Sequence, residues 1–467
     1  MTHSGNGTAV VGAGLVGSLT ALLLANRGHE VHVYERRKDP RKVGDAVGRS
    51  INLALSERGW RALEKAGAVD AVREIAMPVK ARCMHGRDGS LTYQPYGLPG
   101  KGRFGHDQCI YSVARGPLNR ILLEAAEAKG GVQVHFEHRL SDFRYNADGL
   151  TLDFEDQGEV THKRILGTDG AFSAVRQRMM KTDRFDFSQS YLEHGYKEIA
   201  MPPNGQGGFA IDPQALHIWP RGHFMLMALP NPDKTFTCTL FAPFDGPDGF
   251  SEIPDAQSAR AYFESHFPDV LDLVPNFDKD WNTNPTSSLV TTRCNPWHIE
   301  NRVLLMGDAA HAIVPFYGQG MNSGFEDARV LSDLLDEYGG DPSQTEWGDI
   351  MSKFTELRKA NGDAIGDLAL RNFVEMRDRT GDPHFLLQKR IERRLADLHP
   401  ERWIPLYSMV TFSHLPYVDA LAIGHIQDGI MAEVMDRPDI NSAWDGTEVE
   451  HHALELAAQR VPSPANS

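Results

Sequence analysis

A glycine-rich turn near the N-terminus has the residue types and spacing of a dinucleotide-binding site. Gly12, Gly14 and Gly17 follow a short apolar run and begin a Leu-rich one. In such a turn the first glycine allows a tight bend, the second lets a phosphate approach the main chain, and the third lets the next helix pack closely. Glu35 ends the following apolar run, where a carboxylate can bind ribose hydroxyls and would repel a 2′-phosphate. The expected ligands at this end of the nucleotide are Gly12, Gly14, Leu15, Gly17, Glu35 and Arg36.

A second group of small and polar residues lies far downstream. Asp308 follows a short apolar run, so its carboxylate can bind the ribityl chain of a flavin. Gly320, Met321 and Asn322 begin a predicted helix, whose main-chain N–H groups favour negative charge at the N1/C2 edge of a reduced flavin ring. Together with the glycine-rich turn, these residues indicate FAD. No residue is placed for a covalent link, so noncovalent FAD is expected.

Composition restricts the other partners. The chain has 467 residues and a formal net charge of -15, which disfavours nucleic acid and anionic membranes. Its four cysteines form neither a metal knuckle nor a CxxC pair, so free thiols in a reducing compartment are expected. Its 20 histidines show no metal-ligand spacing. The uncharged stretch 7–26 is not preceded by basic residues and contains the glycine-rich turn. A cytoplasmic protein without a transmembrane anchor or a metal is expected.

The order of apolar runs indicates an α/β fold. Thr8–Val11, Leu15–Ala25 and Val31–Tyr34 form a predicted βαβ unit. A β-meander is predicted over 142–165, with Asp148-Gly149 as a hairpin turn. We therefore expect a Rossmann-like FAD-binding domain, a β-sheet substrate domain and a helical C-terminal region.

The boundaries of these parts follow from changes in pattern. Residues 180–290 alternate short apolar runs with turns rich in Pro and Gly, which predicts a sheet that roofs a pocket. Helices are predicted to dominate from Gly320 to about Met435. The predicted parts are a discontinuous FAD-binding domain at 1–180 and 291–340, a substrate-domain sheet at 181–290 with parts of 75–110, and a helical region at 341–467.

Six further stretches are similar to those of one enzyme family. On them the chain resembles the kynurenine 3-monooxygenases, which are FAD-dependent aromatic hydroxylases, from about Thr8 to Met435. The stretches Asn372–Met376 and Ile404–Phe412 are much more specific to this family than the flavin motifs, which a wider class of hydroxylases shares. The stretches are Arg49–Gly59, Gln94–Gly97, Gly195–Glu198, Leu216–Pro220, Asn372–Met376 and Ile404–Phe412.

The resemblance implies a reaction. It is the hydroxylation of L-kynurenine to 3-hydroxykynurenine with NAD(P)H and O₂, through a flavin C4a-hydroperoxide, as part of tryptophan catabolism. NADPH would dock transiently, because the sequence contains no second glycine-rich nucleotide motif. The ring amine of the substrate already donates electrons, so no side chain is expected to act as a catalytic acid or base, and His311 is expected to be structural. The oligomeric state stays open, with a homodimer as one alternative.

The resemblance also implies site residues. Arg82 and Tyr96 would receive the α-carboxylate of the substrate, and Asn372 and Tyr407 would complete the amino-acid pocket. Residues Pro315 and Phe316 would lie between the flavin and the substrate ring, whereas Tyr317 is given no catalytic role. Two further cofactor contacts are implied, by Arg115 and by Asp169 in the stretch Asp169–Arg176.

Alternatives stay open at this stage. Arg82 could be an ordinary strand arginine, Arg115 a solvated one, and Asp169 a helix N-cap. The enzyme could act on a modified kynurenine or another anthraniloyl compound in a biosynthetic pathway. It could also be a non-oxygenating flavoprotein reductase, although the presence of the complete carboxylate pocket argues against this.

Overall fold

The computed structural model describes residues 3–4, 7–43, 52–147, 149–375 and 382–462. Of the residues singled out above, Arg49, Ser50, Ile51, Asp148 and Met376 lie outside these ranges. The strands are β1 His3–Ser4, β2 Thr8–Val11, β3 Val31–Glu35, β4 Leu53–Leu55, β5 Met77–Val79, β6 Ala81–His85, β7 Leu91–Pro95, β8 Ile110–Val113, β9 Val132–Phe136, β10 Leu140–Tyr145, β11 Leu150–Phe154, β12 Gly158–His162, β13 Arg164–Gly167, β14 Asp186–Met201, β15 Ala215–Pro220, β16 Met225–Pro230, β17 Phe236–Pro243, β18 Ser287–Asn295, β19 His298–Ile299 and β20 Val303–Leu305. The helices are α1 Leu15–Ala25, α2 Pro40–Val43, α3 Glu57–Ala66, α4 Val69–Arg73, α5 Arg115–Ala128, α6 Ala174–Met179, α7 Ala256–His266, α8 Phe277–Thr283, α9 Asp308–His311, α10 Gly320–Glu337, α11 Gln344–Val374, α12 Pro383–Leu398, α13 Leu406–Phe412, α14 Tyr417–Met435, α15 Ile440–Ala443 and α16 Thr447–Arg460.

A six-stranded sheet of order β19-β20-β13-β2-β3-β9 forms the nucleotide-binding part. All of its pairs are parallel except β19 with β20. Every residue of β2 is buried, as expected for a parallel strand covered on both faces, which therefore has a continuous apolar sequence. The predicted βαβ unit is confirmed, with the second strand one residue longer and ending at Glu35.

A second sheet has seven strands in the order β18-β14-β17-β16-β15-β6-β7. Strands β15 and β6 pair in parallel, and the other neighbours pair antiparallel. Side chains alternate between its two faces, so Leu216 and Ile218 join one apolar cluster while Trp219 and Leu226 join another. Strands β6 and β7, from segment 75–110, extend this sheet.

Two helices within the middle region were not predicted. Helix α7 begins with a capping box, in which Asp255 accepts from the Ser258 main chain, and α8 follows it. The buried residues of α7 are Ala259, Tyr262 and Phe263, which have helical spacing. Pro and Gly in the flanking turns dominated the sequence pattern and masked this short amphipathic run.

The remaining elements agree with the predicted α/β class. Strands β10, β11 and β12 form the predicted meander. Helices follow one another from Gly320 and continue beyond the predicted limit as far as Arg460. All four cysteines are free and buried, as expected. Among the described residues, none of the helices has the length and apolar character needed to cross a membrane.

Candidate active site

The three glycines of the N-terminal turn have three different environments. A Cβ on Gly12, whose φ is +103°, would lie 2.6 Å from the carbonyl oxygen of Thr168, and one on Gly17 would lie 1.9 Å from that of Gly12. These two glycines therefore permit close main-chain packing. A Cβ on Gly14 would meet nothing within 4 Å. Gly14 is also the N-cap of α1 and offers no side chain to its first N–H groups, so a phosphate can approach there.

Glu35 is directed back at this turn. Its Oε2 accepts a hydrogen bond from the main-chain N of Ala13 at 3.0 Å, and its Oε1 accepts one from the N of Arg37 at 2.9 Å. The carboxylate is half-buried and lies beside the position where a phosphate would bind. A ribose joined to that phosphate would be within its reach, which fits the predicted role.

Asn119 is a residue at this turn that sequence reasoning missed. Its Nδ2 donates to the carbonyl oxygen of Ala13 at 2.9 Å, and its Oδ1 accepts from the Ser18 hydroxyl at 3.1 Å. Arg115 lies one helical turn earlier, on the same face of α5. Arg115 is exposed on the face of α5 that also carries Asn119, and its charge acts on Tyr196 of β14. Only the i, i+4 spacing of Arg115 and Asn119 could have indicated this pair.

The flavin motifs, distant in sequence, meet at one side chain of α1. A Cβ built on Gly307 would lie 2.9 Å from Cγ2 of Val16, and one built on Gly324 would lie 2.6 Å from the same atom. The first turns of α1, α9 and α10 therefore lie close together around Val16. The N-cap of α10, Gln319, makes no side-chain hydrogen bond to the helix, so the first-turn N–H groups from Gly320 to Asn322 stay available for a ligand.

Asp308 is exposed at the start of α9, while Ala309 and Ala310 behind it are buried. The turn that carries it is held by Asp327 of α10, whose Oδ2 accepts from the N of Gly307 at 2.9 Å and from Nε2 of His311 at 2.6 Å. Burial opposes the charge of Asp327, yet His311 and Arg358 lower the pKa of its carboxyl to about 2. His311 is thus paired in the core, in agreement with a structural role.

Two predicted cofactor ligands, Asn322 and Asp169, are hydrogen-bonded to other residues of the protein. The side chain of Asn322 is buried; it donates to the carbonyl oxygens of Ala54 and Gly318 and accepts from the N of Ser56. Asp169 caps α6, because its Oδ2 accepts from the N of Ala174 at 2.7 Å. Its other oxygen, Oδ1, is buried and has no partner among the described residues. This unsatisfied acceptor fits a bound polar group, and burial raises the pKa of the carboxyl.

Arg36 lies at the rim of the nucleotide region. It is exposed and borders an open depression of about 670 Å³. The other lining residues are Arg37, Glu137, Arg139, Glu155, Asp156 and Gln157. This depression is therefore a polar surface at the carboxyl end of β3, not the place where Arg82 and its neighbours meet.

A second group of predicted residues meets at the edge of the seven-stranded sheet. Arg82 of β6 lies with its guanidinium carbon 5.2 Å from the ring centre of Tyr96 and 4.5 Å from that of Tyr407. Burial alone would lower the pKa of the guanidinium, but the two phenols hold it above the usual arginine value. Within the described ranges, Arg82 forms no ion pair with any carboxylate. A half-buried cation of this kind can receive a ligand carboxylate.

Tyr317 belongs to this group, although the sequence assigned it no role. Its ring is stacked on Tyr407 with centres 5.6 Å apart, and Tyr407 is stacked on Tyr96 at the same distance. Burial raises the pKa of Tyr317, so its phenol stays neutral. The ring of the neighbouring Phe316 packs instead against the ring of Phe373, with centres 4.5 Å apart.

Asn372 contacts this turn and not Arg82. Its Nδ2 donates to the carbonyl oxygen of Phe316 at 2.6 Å. Residues Pro315–Tyr317 form a single 3-10 turn shortly before α10, so Asn372 ties α11 to this turn. The structure therefore gives Asn372 a positioning contact, and its contact with substrate stays a prediction.

Comparison with known proteins identifies the family. The FAD binding domain family matches residues 7–345. The kynurenine 3-monooxygenase of Flavobacterium johnsoniae is 47% identical over 451 residues, which cover 96% of this chain and 98% of that protein. The kynurenine 3-monooxygenase of Dictyostelium discoideum is 43% identical over 465 residues and 98% of both chains. The chain belongs to the kynurenine 3-monooxygenase family. It is an FAD-dependent flavoprotein monooxygenase, which confirms the resemblance inferred from six short stretches.

Solved structures support the fold. The chain is similar to 2-methyl-3-hydroxypyridine-5-carboxylic acid oxygenase, with a TM-score of 0.64 at 22% identity, over 82% of this chain and 94% of that one. It is also similar to PqsL of Pseudomonas aeruginosa in complex with 2-aminobenzoylacetate, with a TM-score of 0.65 at 20% identity, over 81% and 98% of the two chains. At these identities the likeness confirms the predicted architecture alone.

Proposed function

We propose that this member of the family hydroxylates L-kynurenine to 3-hydroxykynurenine, with FAD as cofactor and NADPH and O₂ as cosubstrates. The observation that carries this proposal is the half-buried Arg82, which lies against two tyrosine rings and has no carboxylate partner in the described part of the chain. An amino-acid substrate brings the missing carboxylate.

The residues of the nucleotide region fit FAD. The open space at Gly14 and the first turn of α1 would hold the pyrophosphate, and Glu35 the adenosine ribose. Asp308 is exposed where it can reach the ribityl chain, and the N–H groups at the start of α10 would face the N1/C2 edge of the ring. When bound, FAD supplies hydride acceptance from NADPH and activation of O₂.

The aromatic group would orient the substrate. Arg82 can hold the α-carboxylate with two parallel N–H bonds, while the hydroxyl groups of Tyr96 and Tyr407 add donors. The buried rings of Phe241 and Phe316, with centres 5.2 Å apart, form an apolar wall beside this position. Such a wall excludes water, which protects a reactive oxygen donor from unproductive breakdown.

No side chain needs to act as a catalytic acid or base. The substrate's own ring amine activates the position ortho to it for electrophilic attack. The phenol of Tyr96 is kept neutral because burial raises its pKa, so this group can donate a hydrogen bond and cannot serve as a base near neutral pH. The side chain of His311 is occupied by its pairing with Asp327.

Several finer points are part of the proposal. The parallel sheet with its helices would bind FAD, the seven-stranded sheet would cover the substrate, and the C-terminal helices would close the site. NADPH would dock transiently beside the flavin. A cytoplasmic location is supported by the four free thiols, and a homodimer is the oligomeric state that we would test first.

The test is a reaction of the purified yellow protein with L-kynurenine, NADPH and isotopically labelled O₂. We expect 3-hydroxykynurenine that contains one labelled oxygen atom, free FAD on denaturation, and NADPH consumption that rises sharply with L-kynurenine. Fast NADPH oxidation that is indifferent to L-kynurenine and forms no hydroxylated product would point to a flavoprotein reductase. Hydroxylation of another anthraniloyl compound in preference to L-kynurenine would point to a biosynthetic hydroxylase.

A further inference from the structure

Three ligand-type side chains meet on the face of the seven-stranded sheet opposite to Arg82. Cys83 and His85 alternate with Arg82 and Met84 along β6, so they point away from the substrate side. His217 of β15 stands directly across from Cys83 in the parallel register. All three side chains are buried, and each offers one ligand atom such that the three atoms lie within 4.8 Å of one another.

The outer nitrogen of each histidine is already hydrogen-bonded. His85 Nδ1 is 3.1 Å from Oδ2 of Asp269, which also accepts from Nε1 of Trp219 at 2.8 Å. His217 Nε2 is 2.9 Å from the main-chain carbonyl oxygen of Asp212. Carboxylate and carbonyl oxygens only accept, so both outer nitrogens carry the proton. A carboxylate or carbonyl behind each imidazole is the usual outer-shell arrangement of metal-binding histidines.

With both outer nitrogens protonated, the inner nitrogens of the two histidines carry lone pairs that face each other. In neutral rings, His85 Nε2 and His217 Nδ1 would both be acceptors, yet they are only 2.9 Å apart. Such a contact is repulsive unless a cation lies between the nitrogens, either a proton or a metal ion.

We propose that Cys83, His85 and His217 bind a Zn²⁺ ion on the back of the strand that carries Arg82. One thiolate and two imidazoles are a ligand set that suits Zn²⁺. With Zn–N near 2.1 Å and Zn–S near 2.3 Å, tetrahedral ligand atoms stand about 3.4–3.6 Å apart. The two nitrogens, 2.9 Å apart, must therefore separate by a few tenths of an ångström. Zn²⁺ binding releases the thiol proton of Cys83 to the solvent.

The zinc site would affect the proposed function through strand β6, which also carries Arg82. Arg82 lies between Ala81 and Cys83, and β6 is held to β15 by main-chain pairing from Ala81 to Met84. A metal that joins Cys83 and His85 to His217 would fix the same strand from its other face. The inference does not require that the substrate be kynurenine, since it concerns the folded sheet alone.

Zn²⁺ titration of the FAD-loaded full-length protein, after removal of metals by a chelator, tests the proposal. A chromophoric chelator in competition measures the affinity. We expect one equivalent of tightly bound Zn²⁺ and a higher midpoint of thermal unfolding, because the ion binds only the folded state. Substitutions Cys83→Ser and His217→Gln should weaken binding more than 100-fold. Asp269→Asn, which changes the group behind His85 and keeps all three ligand side chains, should weaken it about 10- to 100-fold.

Cys238→Ser is the matched control, because Cys238 is an equally buried thiol in β17 of the same sheet and lies outside the cluster. Its Zn²⁺ affinity should equal that of the wild type. X-ray absorption at the zinc edge of the wild type needs no variant and should show one sulfur and two imidazole nitrogens. Either substoichiometric weak binding by the wild type, or a bound ion without a sulfur ligand, would overturn the proposal. A proton shared between His85 and His217 would then account for their short contact.

Discussion

The side-chain amide of Asn372 donates a hydrogen bond to the main-chain carbonyl oxygen of Phe316, with 2.6 Å between Nδ2 and O. Asn372 lies near the end of α11, and Phe316 lies in the turn shortly before α10. The contact therefore couples the C-terminal helices to the turn that carries Phe316, between residues 56 positions apart in the chain.

Asn372→Ala should loosen this turn. Leaving the carbonyl of Phe316 without its donor costs about 1–3 kcal/mol, and we expect the yield of hydroxylated product per NADPH to fall while peroxide rises. Asn361→Ala is the control, since Asn361 lies on the same helix and bonds to Leu357 and Val418 instead. Equal product yields for Asn372→Ala and the wild type would show that the contact does not position Phe316 for the reaction.

Substitutions at the glycine-rich turn should separate cofactor binding from folding. Gly14→Ala adds a methyl group where nothing lies within 4 Å, so the apoprotein should unfold at its usual temperature while FAD affinity falls. Gly12→Ala places the same group 2.6 Å from a main-chain oxygen at a φ of +103°, and the apoprotein itself should be destabilised. Thermal unfolding of the apoproteins and FAD titration provide the comparison. A Gly14→Ala variant with wild-type FAD affinity would mean that no phosphate approaches there.

Glu35→Ala should weaken FAD binding about ten- to a hundredfold, because a charge-assisted hydrogen bond to the ribose is worth roughly 1.5–3 kcal/mol. Glu30→Ala is the control: Glu30 lies just before the other end of β3 and contacts His32. Fluorescence titration of the apoproteins with FAD measures both variants. Unchanged affinity for Glu35→Ala would exclude this carboxylate as the ribose ligand.

Arg82→Ala should raise the dissociation constant of kynurenine far more than that of FAD. Removing one partner of a buried charge pair costs about 2–5 kcal/mol. Arg82→Lys should recover part of the loss, since an ammonium cannot form the two-pronged contact. A decarboxylated kynurenine analogue should bind the wild type weakly and distinguish little between wild type and Arg82→Ala. If the analogue loses as much affinity as kynurenine does, the carboxylate binds elsewhere.

Asp327→Asn should destabilise the fold and the flavin site together. Breaking the buried pairs of Asp327 with His311 and Arg358 costs about 3–5 kcal/mol. The folded pKa of about 2 lies below the ordinary 3.8, so this stabilisation is present above about pH 4 and is lost as the pH falls toward 2. The unfolding free energies of wild type and variant should converge in that range.

Asp333→Asn serves as the comparison for Asp327→Asn. Asp333 lies on the same helix, but its ion pairs with Lys65 and Arg329 are at the surface. Its loss should change the free energy of unfolding by less than about 1 kcal/mol. Urea unfolding at several pH values measures both variants. A pH-independent difference between Asp327→Asn and the wild type would contradict the assigned pairing.

Local sequence patterns were sufficient to predict the βαβ unit that carries the glycine-rich turn. Gly12, Gly14 and Gly17 belong to a single strand-turn-helix, and Glu35 ends the next strand, so main-chain geometry alone places them near one another. The alternation of short apolar runs with Pro- and Gly-rich turns over 180–290 likewise predicted a sheet, to which β15, β16 and β17 belong. It missed α7 and α8, because short helices between Pro- and Gly-rich turns depend on the sheet face that they cover.

The amino-acid sequence by itself determined the α/β class, FAD as the cofactor and, through six short stretches, the family. Only the tertiary structure decided which side chains surround the candidate residues. Tyr317 stacks on Tyr407 and Asn119 binds the glycine-rich turn, while Asp327 holds the turn at Gly307. Cys83 and His85 likewise meet His217 only across two paired strands. Each of these contacts joins residues far apart in the chain, so its existence depends on how helices and sheets pack and cannot be read from local spacing.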